Sequence, residues 1–202
     1  PTSSLTDSAI RSTPVHRFMT SMLSFPKLLM SAVNGRGCIG IAVTLLLHCD
    51  LVYSVEGAKF WIPFTRLALV PEFASGWILP GICGKARANR LLLLGEEITA
   101  REACESFGIV TKVVPKGKDV VEEIVSDVEN LLLKLTHGAE TGAVFVDLIR
   151  RRINRKEDME LIILEELRVL RDRVNKGEVL DAAKVMMANK KSSKKNKRRS
   201  NL

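Results

Sequence analysis

The order of apolar and polar positions divides the chain into short β-type segments and longer helical ones. Residues 1–14 (PTSSLTDSAIRSTP) carry no sustained period and read as a loop; Val15–Ser24 follows with the spacing of an amphipathic helix. Leu28–Val33 (LLMSAV) is a continuous apolar run closed by Asn34-Gly35, the pattern of a strand buried on both faces. The glycine-punctuated turn NGRGCIG then leads into an apolar helix over Ile41–His48. Leu51–Val55 and Ala58–Ile62 read as short strands joined at Glu56-Gly57. A loop, PFTRLALVPEFASG, precedes a helical stretch that runs to Pro80-Gly81, and GKARANRLLLLG gives a further helix closed by Gly95. Thr99–Phe107 is a better-marked helix, with a T-x-x-E capping box at Thr99 and Glu102 and a stop at Gly108. Ile109–Val114 alternates as a strand and ends at Pro115. From Lys118 onward the period is helical, in blocks near 118–135, 140–154, 157–174 and 178–189. Strands alternating with helices, then helices alone, predict an α/β layer carrying a helical C-terminal part. No internal repeat is visible.

The length of 202 residues accommodates one core-bearing domain, and a hydrophobic fraction of 46% predicts that its body folds. The net charge of +8 is concentrated in the stretch KKSSKKNKRR (190–199), which holds seven basic residues and no acid. Without that stretch the body is close to neutral, so a nucleic-acid-binding face on the folded domain is not expected. Residues 190–202 are expected to form a disordered basic tail. The four cysteines, Cys38, Cys49, Cys83 and Cys104, are scattered, as for buried thiols in a reducing compartment, and predict neither a metal centre nor a disulfide framework. The longest apolar stretch, 39–55, contains His48 and Asp50 and is a poor membrane span. No signal peptide is recognisable, and the chain opens on Pro1 in a polar stretch, so a further portion is expected upstream.

Two loops combine backbone permissiveness with a helix start. In NGRGCIGIAV, glycines 35, 37 and 40 precede a helix whose first N–H groups have no internal partner, an arrangement that can stabilise developing negative charge. The plainer reading is that these glycines only permit a tight strand-to-helix turn. In LALVPEFASGW, Glu72 lies among Leu67, Leu69, Val70, Phe73 and Trp77, with Pro71 just before it. A carboxylate in apolar surroundings is made more basic and suits proton transfer to and from carbon. Local sequence alone favours a simpler role, a glutamate at the start of a helix. His16 reads as part of a surface helix, His48 as an apolar helix end and His137 as a loop residue; none stands in a nucleophile context. Trp61, Trp77 and Phe64 read as core residues close enough to Glu72 to line a pocket.

Taken in order, AVNG, the glycine turn, CD before a strand, AKF, the P-E loop, GKA and ITAREA…GIV resemble the crotonase (enoyl-CoA hydratase/isomerase) superfamily. The resemblance is strong over Pro26–Pro115 and weaker beyond it. It implies a spiral of β-β-α units over residues 1–189, lacking its N-terminal portion, with the helical part from about 118. It also implies two backbone N–H groups holding a thioester oxygen. One falls on Gly40; the other belongs to a loop before the Val15 helix, where no S-A-G-x-D-like motif is found. Hydratases of the family carry acids at two positions that are Val43 and Phe64 here, so hydration is disfavoured. The family's 3,2-enoyl-CoA isomerases carry a single P-E-G glutamate, which matches Pro71-Glu72, with Phe73 where glycine is usual and Arg36 replacing a common proline. The resemblance thus implies conversion of 3-enoyl-CoA to 2-trans-enoyl-CoA in fatty acid β-oxidation, with Glu72 and Gly40 catalytic. Ile39, Phe64, Leu69, Pro71, Phe73 and Trp77 would contact the acyl-CoA; no metal or separate cofactor is implied, coenzyme A being part of the substrate. A homotrimer or hexamer is also implied. Ser200-Asn201-Leu202 resembles a peroxisomal address read by an import receptor, with a mitochondrial or cytoplasmic location as the alternative. A catalytically impaired acyl-CoA-binding or scaffolding relative is the competing function.

Overall fold

The computed structural model describes residues 6–134, Val144 and 156–199. Two short helices come first, α1 (Asp7–Arg11) and α2 (Pro14–Leu23). The sequence reads residues 1–14 as loop, but Thr6-Asp7 opens a helical turn whose Arg11 ends it. At α2, Thr13 caps the helix by accepting from the His16 N–H at 3.3 Å, with Pro14 at the first helical position.

The strands then come in pairs that alternate between two sheets. β1 (Met30–Val33) belongs to one sheet and β2 (Gly37–Ile39) to the other; β3 (Leu51–Val55) returns to the first and β4 (Lys59–Trp61) to the second. β1 pairs parallel with β3 (Met30↔Leu51) and β2 pairs parallel with β4 (Gly37↔Lys59), so successive β-β units stack in register. Helix α3 (Ile41–Leu46) follows the first unit. After the second come a 3-10 turn (Thr65–Leu67), α4 (Ser75–Cys83) and α5 (Lys85–Leu92). β5 (Glu97–Thr99) adds antiparallel to β4, α6 (Ala100–Glu105) follows directly, and β6 (Lys112–Val114) completes the first sheet beside β3. This is the α/β spiral of β-β-α units that the sequence resemblance implies.

Two three-residue strands, β2 and β5, escape the periodicity analysis, because neither lies within a longer run read as a strand, as the equally short β4 and β6 do. The capping box is as read: Thr99 Oγ1 accepts from the Glu102 N–H at 3.1 Å, and Glu102 Oε2 accepts from the Thr99 N–H at 2.9 Å. Helix α4 continues through Pro80, where the sequence ends it, and stops at Gly84 (φ 79).

The C-terminal part contains α7 (Val120–Lys134), α8 (Lys156–Asn175) and α9 (Glu178–Arg199). The helical block read near 140–154 lies outside the described residues apart from Val144, which is helical. Helix α9 extends into 190–199, the stretch expected to be a disordered tail; it contains no proline or glycine, and lysine and arginine are good helix formers.

Buried side chains form three clusters. The largest fills the space around the sheets with Val33, Val43, Leu46, Phe60, Phe64 and Leu91 among its members. A third joins Tyr53 and Val114 to α7. The second matters most for chemistry: Met19 of α2, Phe73, Ala74 and Ile78 around the start of α4, and Met159 and Ile163 of α8. Helices α2 and α8 therefore brace the loop that carries Glu72. Arg11–Glu160 (3.8 Å) and Asp7–Arg168 ion pairs tie α1 to the same helix.

Candidate active site

The glycine turn is shaped by the pairing of β2 with β4. The Arg36 carbonyl accepts from the Lys59 N–H at 2.9 Å, and four residues later the Gly40 N–H donates to the Trp61 carbonyl at 2.8 Å. Gly40 (φ 60, ψ −124) is the N-cap of α3, and its own carbonyl accepts from Val43 and Thr44 at 2.9 and 3.3 Å. Its N–H is therefore not available to a thioester oxygen, as the sequence reading requires of it. Ile41 and Ala42 open α3, and the amides of such first helical residues have no partner within the helix. Gly40 thus closes the sheet before the helix begins. Three residues after Ile41 stands Thr44, fully buried, its hydroxyl bonded to the Ile41 carbonyl at 3.2 Å. Val43 and Phe64 are core residues, so neither count from the turn finds an acid able to activate water.

From β4 the chain passes Phe64, whose ring lies 4.0 Å from where a Cβ on Gly40 would be. The Leu69 N–H donates back to the Phe64 carbonyl at 2.8 Å, turning the chain into Val70-Pro71-Glu72. Phe73 and Ala74 are both left-handed, with φ 55 each, and Ala74 is the N-cap of α4. Glu72 thus precedes the helix by three residues and is not in its first turn, which removes the simple helix-start role. Burial raises the Glu72 carboxyl above its ordinary value. No hydrogen-bond donor or cation engages that carboxylate among the described residues.

Two further titratable groups flank the turn. His48, just beyond α3, places Nε2 2.7 Å from the Phe73 carbonyl, and its ring stacks on the Phe73 ring at 3.8 Å and 20°. Burial holds this imidazole down to about 4, so it is neutral and Nε2 carries the donated proton; Nδ1 is buried without a partner. Glu166 of α8 accepts the Ala74 N–H at 2.8 Å through Oε2. Burial pushes Glu166 up to about 8; the Ala74 hydrogen bond opposes this, and the nearby Glu72 and Glu165 charges add to it. A carboxyl pushed up to about 8 keeps its proton at neutral pH, so Glu166 is largely protonated there.

The structure divides the residues read from sequence as contacting substrate. Leu69 and Pro71 are half-buried beside Glu72, while Phe64 and Phe73 are fully packed core. Ile39 and Trp77 are each 61% exposed, so Trp77 is not the core residue expected. The reason is helical phase: Ile78 and Leu79 of α4 point inward and Trp77 outward. His16, read as a surface residue, is buried because it shares the inward stripe of α2 with Met19. His137 lies outside the described residues. Glu166 escaped the sequence reading, yet it was signalled there. It stands three and seven residues after Ile163 and Met159, a carboxyl on the buried stripe of a helix. A cleft lined by Gly117, Asp119, Glu122 and Glu123 contains none of these residues. Among the described residues no cluster of His, Cys, Asp or Glu could hold a metal ion, and no helix is long and apolar enough to cross a membrane.

Comparison with known proteins agrees with this architecture. A family model described as enoyl-CoA hydratase/isomerase matches residues 2–169. Rat enoyl-CoA delta isomerase 2 is 35% identical over 168 residues, 83% of this chain and 41% of that protein. Mouse peroxisomal enoyl-CoA delta isomerase 3 is 40% identical over 103 residues, 51% of this chain and 32% of that protein. The chain therefore spans only a third to two-fifths of the length of these relatives. Among solved structures, Pseudomonas aeruginosa OdaA superposes with a TM-score of 0.78 at 33% identity, covering 88% of this chain and 69% of that one.

Proposed function

The chain belongs to the enoyl-CoA hydratase/isomerase family, and from that membership we propose that it shifts the double bond of a 3-enoyl-CoA to the 2-trans position. In this reading the Glu72 carboxylate removes a proton from C2 of the thioester, and the electrons move into the carbonyl to give a dienolate. The same carboxyl then returns the proton at C4, so the double bond moves from C3–C4 to C2–C3 with no net gain or loss of atoms. Ile41 N–H supplies one of the two hydrogen bonds to the enolate oxygen, and Gly40 acts by setting the direction of that amide.

The observation that carries the reading is a half-buried Glu72, made more basic by burial, whose carboxylate has no hydrogen-bond or ionic partner among the described residues. A base that must take a proton from carbon and give it back needs such a setting. The apolar or hydroxyl character of Val43, Thr44 and Phe64 favours isomerisation over hydration. Similarity to two enoyl-CoA delta isomerases supports the same choice. Acyl-CoA is then the substrate, and coenzyme A enters as part of it. Exposed Ile39 and Trp77 supply apolar surface next to the two site loops for the acyl chain. The peroxisomal mouse relative supports a peroxisomal location, and recognition by an import receptor belongs to the same proposal. Assembly as a homotrimer or hexamer is part of the same proposal.

The test is the appearance of the conjugated 2-enoyl thioester from 3-enoyl-CoA with the full-length protein and its Glu72→Gln variant. Activity in the wild type and a loss of at least 1,000-fold in the variant are expected. Equal activity in both would remove Glu72 from the chemistry. Tight acyl-CoA binding without turnover in the wild type would establish the binding or scaffolding role instead.

A further inference from the structure

The hydrogen bonds made by His48 and Glu166 have a shared target. The Phe73 carbonyl and the Ala74 N–H are the two ends of a single peptide group, which points them in opposite directions. His48 Nε2 holds the oxygen at 2.7 Å and Glu166 Oε2 holds the N–H at 2.8 Å. The two side chains come from opposite directions in the sequence, 25 and 92 residues away. This peptide links two non-glycine residues with φ 55, a conformation that persists only where its surroundings over-determine it. Rotating the peptide would turn the Phe73 carbonyl away from His48 Nε2 and the Ala74 N–H away from Glu166 Oε2, so the two present hydrogen bonds break in a single movement. Glu166 has no cationic partner among the described residues, and burying a carboxyl for one hydrogen bond is not a favourable core arrangement. The residue immediately before the gripped peptide is Glu72.

We propose that His48 and Glu166 are positioning residues that clamp the Phe73–Ala74 peptide from its two ends and so fix the direction of the Glu72 side chain. The proposal rests on the reading of Glu72 as the proton carrier and adds that α8 is part of the machinery that aims it. The ionisable groups acting on Glu166 are Glu72 of the loop and Glu165 of its own helix. Because Glu166 is protonated at neutral pH, it holds the loop without repelling the Glu72 carboxylate.

The experiment uses the full-length protein with Glu166→Gln, which keeps an acceptor for the Ala74 N–H, Glu166→Ala, which removes it, and His48→Ala at the other end. Amide exchange over residues 72–76 reads the grip directly. Exchange at Ala74 should be slow in the wild type and Glu166→Gln and at least ten-fold faster in both alanine variants. The Glu72 carboxyl, followed by carbon NMR, should titrate closer to its ordinary value once the turn is released. In turnover, kcat should fall at least ten-fold in the alanine variants with KM within two-fold, and Glu166→Gln should restore it. Unchanged Ala74 exchange in Glu166→Ala and His48→Ala would overturn the clamp. Faster exchange with kcat and the Glu72 titration both unmoved would overturn the positioning role. If the wild type proves inactive, the isomerase reading fails alone, and exchange with the Glu72 titration still decides the clamp. If Glu166→Ala does not fold, His48→Ala decides it from the other end of the same peptide.

Discussion

Replacing Gly37 by alanine separates β2 from β4. Gly37 has φ 133, and a Cβ built there would fall 1.7 Å from the Lys59 carbonyl oxygen and 2.5 Å from its nitrogen. Both obstacles are backbone of the paired strand, so no side-chain rotation relieves them. Ordinary non-bonded contact needs about 3.5 Å, so β2 must retreat by nearly 2 Å. That movement breaks the Lys59 N–H···O Arg36 bond of 2.9 Å and strains the Gly40 N–H···O Trp61 bond of 2.8 Å. Two hydrogen bonds are worth about 1 kcal/mol each, and a positive φ in alanine costs a further 1–3 kcal/mol or so. The sum is a destabilisation of roughly 3–5 kcal/mol, read as a lowered urea midpoint followed by circular dichroism. Gly57→Ala is the internal control, since a Cβ there meets nothing within 4 Å and needs no positive φ. It should change stability by less than about 0.5 kcal/mol. A loss below 1 kcal/mol for Gly37→Ala, or equal losses for the two, would refute the register assigned to β2.

Thr99→Ala removes one half of the capping box and should cost about 1 kcal/mol in the same assay, whereas a neutral result would mean the box is not formed in solution. Ile163→Ala opens a space in the cluster under Phe73 and should cost about 2–5 kcal/mol while speeding amide exchange over 72–76; exchange unchanged there would separate that cluster from the Glu72 turn. The pH dependence of stability follows from Glu166, whose folded value is raised to about 8 against an ordinary 4.5. Its contribution is fully present below 4.5 and is lost as pH rises through 8. The stability advantage of the wild type over Glu166→Gln should therefore shrink by roughly 3–5 kcal/mol between those pH values. A constant difference would show that Glu166 titrates normally; His48 is common to both proteins and cancels.

The parts of the fold that could be read from sequence are those whose signal is local. Leu28–Val33 and Leu51–Val55 announce themselves as apolar runs, and Thr99-x-x-Glu102 marks a helix start within one residue. β2 and β5 have no such signal, because β2 lies inside the glycine turn and β5 directly before a helix cap, and both pair with β4 across the sheet. At the site, the Pro71-Glu72 loop and the glycine turn were legible as motifs, and the absence of acids at Val43 and Phe64 needed no coordinates. Which amide is open was not legible, since it depends on the Gly40 N–H finding the carbonyl of Trp61, a partner across the sheet. The same holds for Phe73. It was read as an acyl-CoA contact standing where glycine is usual, but its ring is buried against His48 while its backbone keeps the left-handed turn that glycine would adopt freely. Glu166 was visible only as an acid on an apolar stripe, and its target lies 92 residues away.

The most direct test of Glu72 as the single proton carrier is the fate of deuterium placed at C2 of a 3-enoyl-CoA. With one carboxyl serving both carbons, a measurable share of the label should reappear at C4 of the 2-enoyl product made by the wild type, and no transfer should occur with Glu72→Gln. Label transfer undiminished in Glu72→Gln would contradict the assignment.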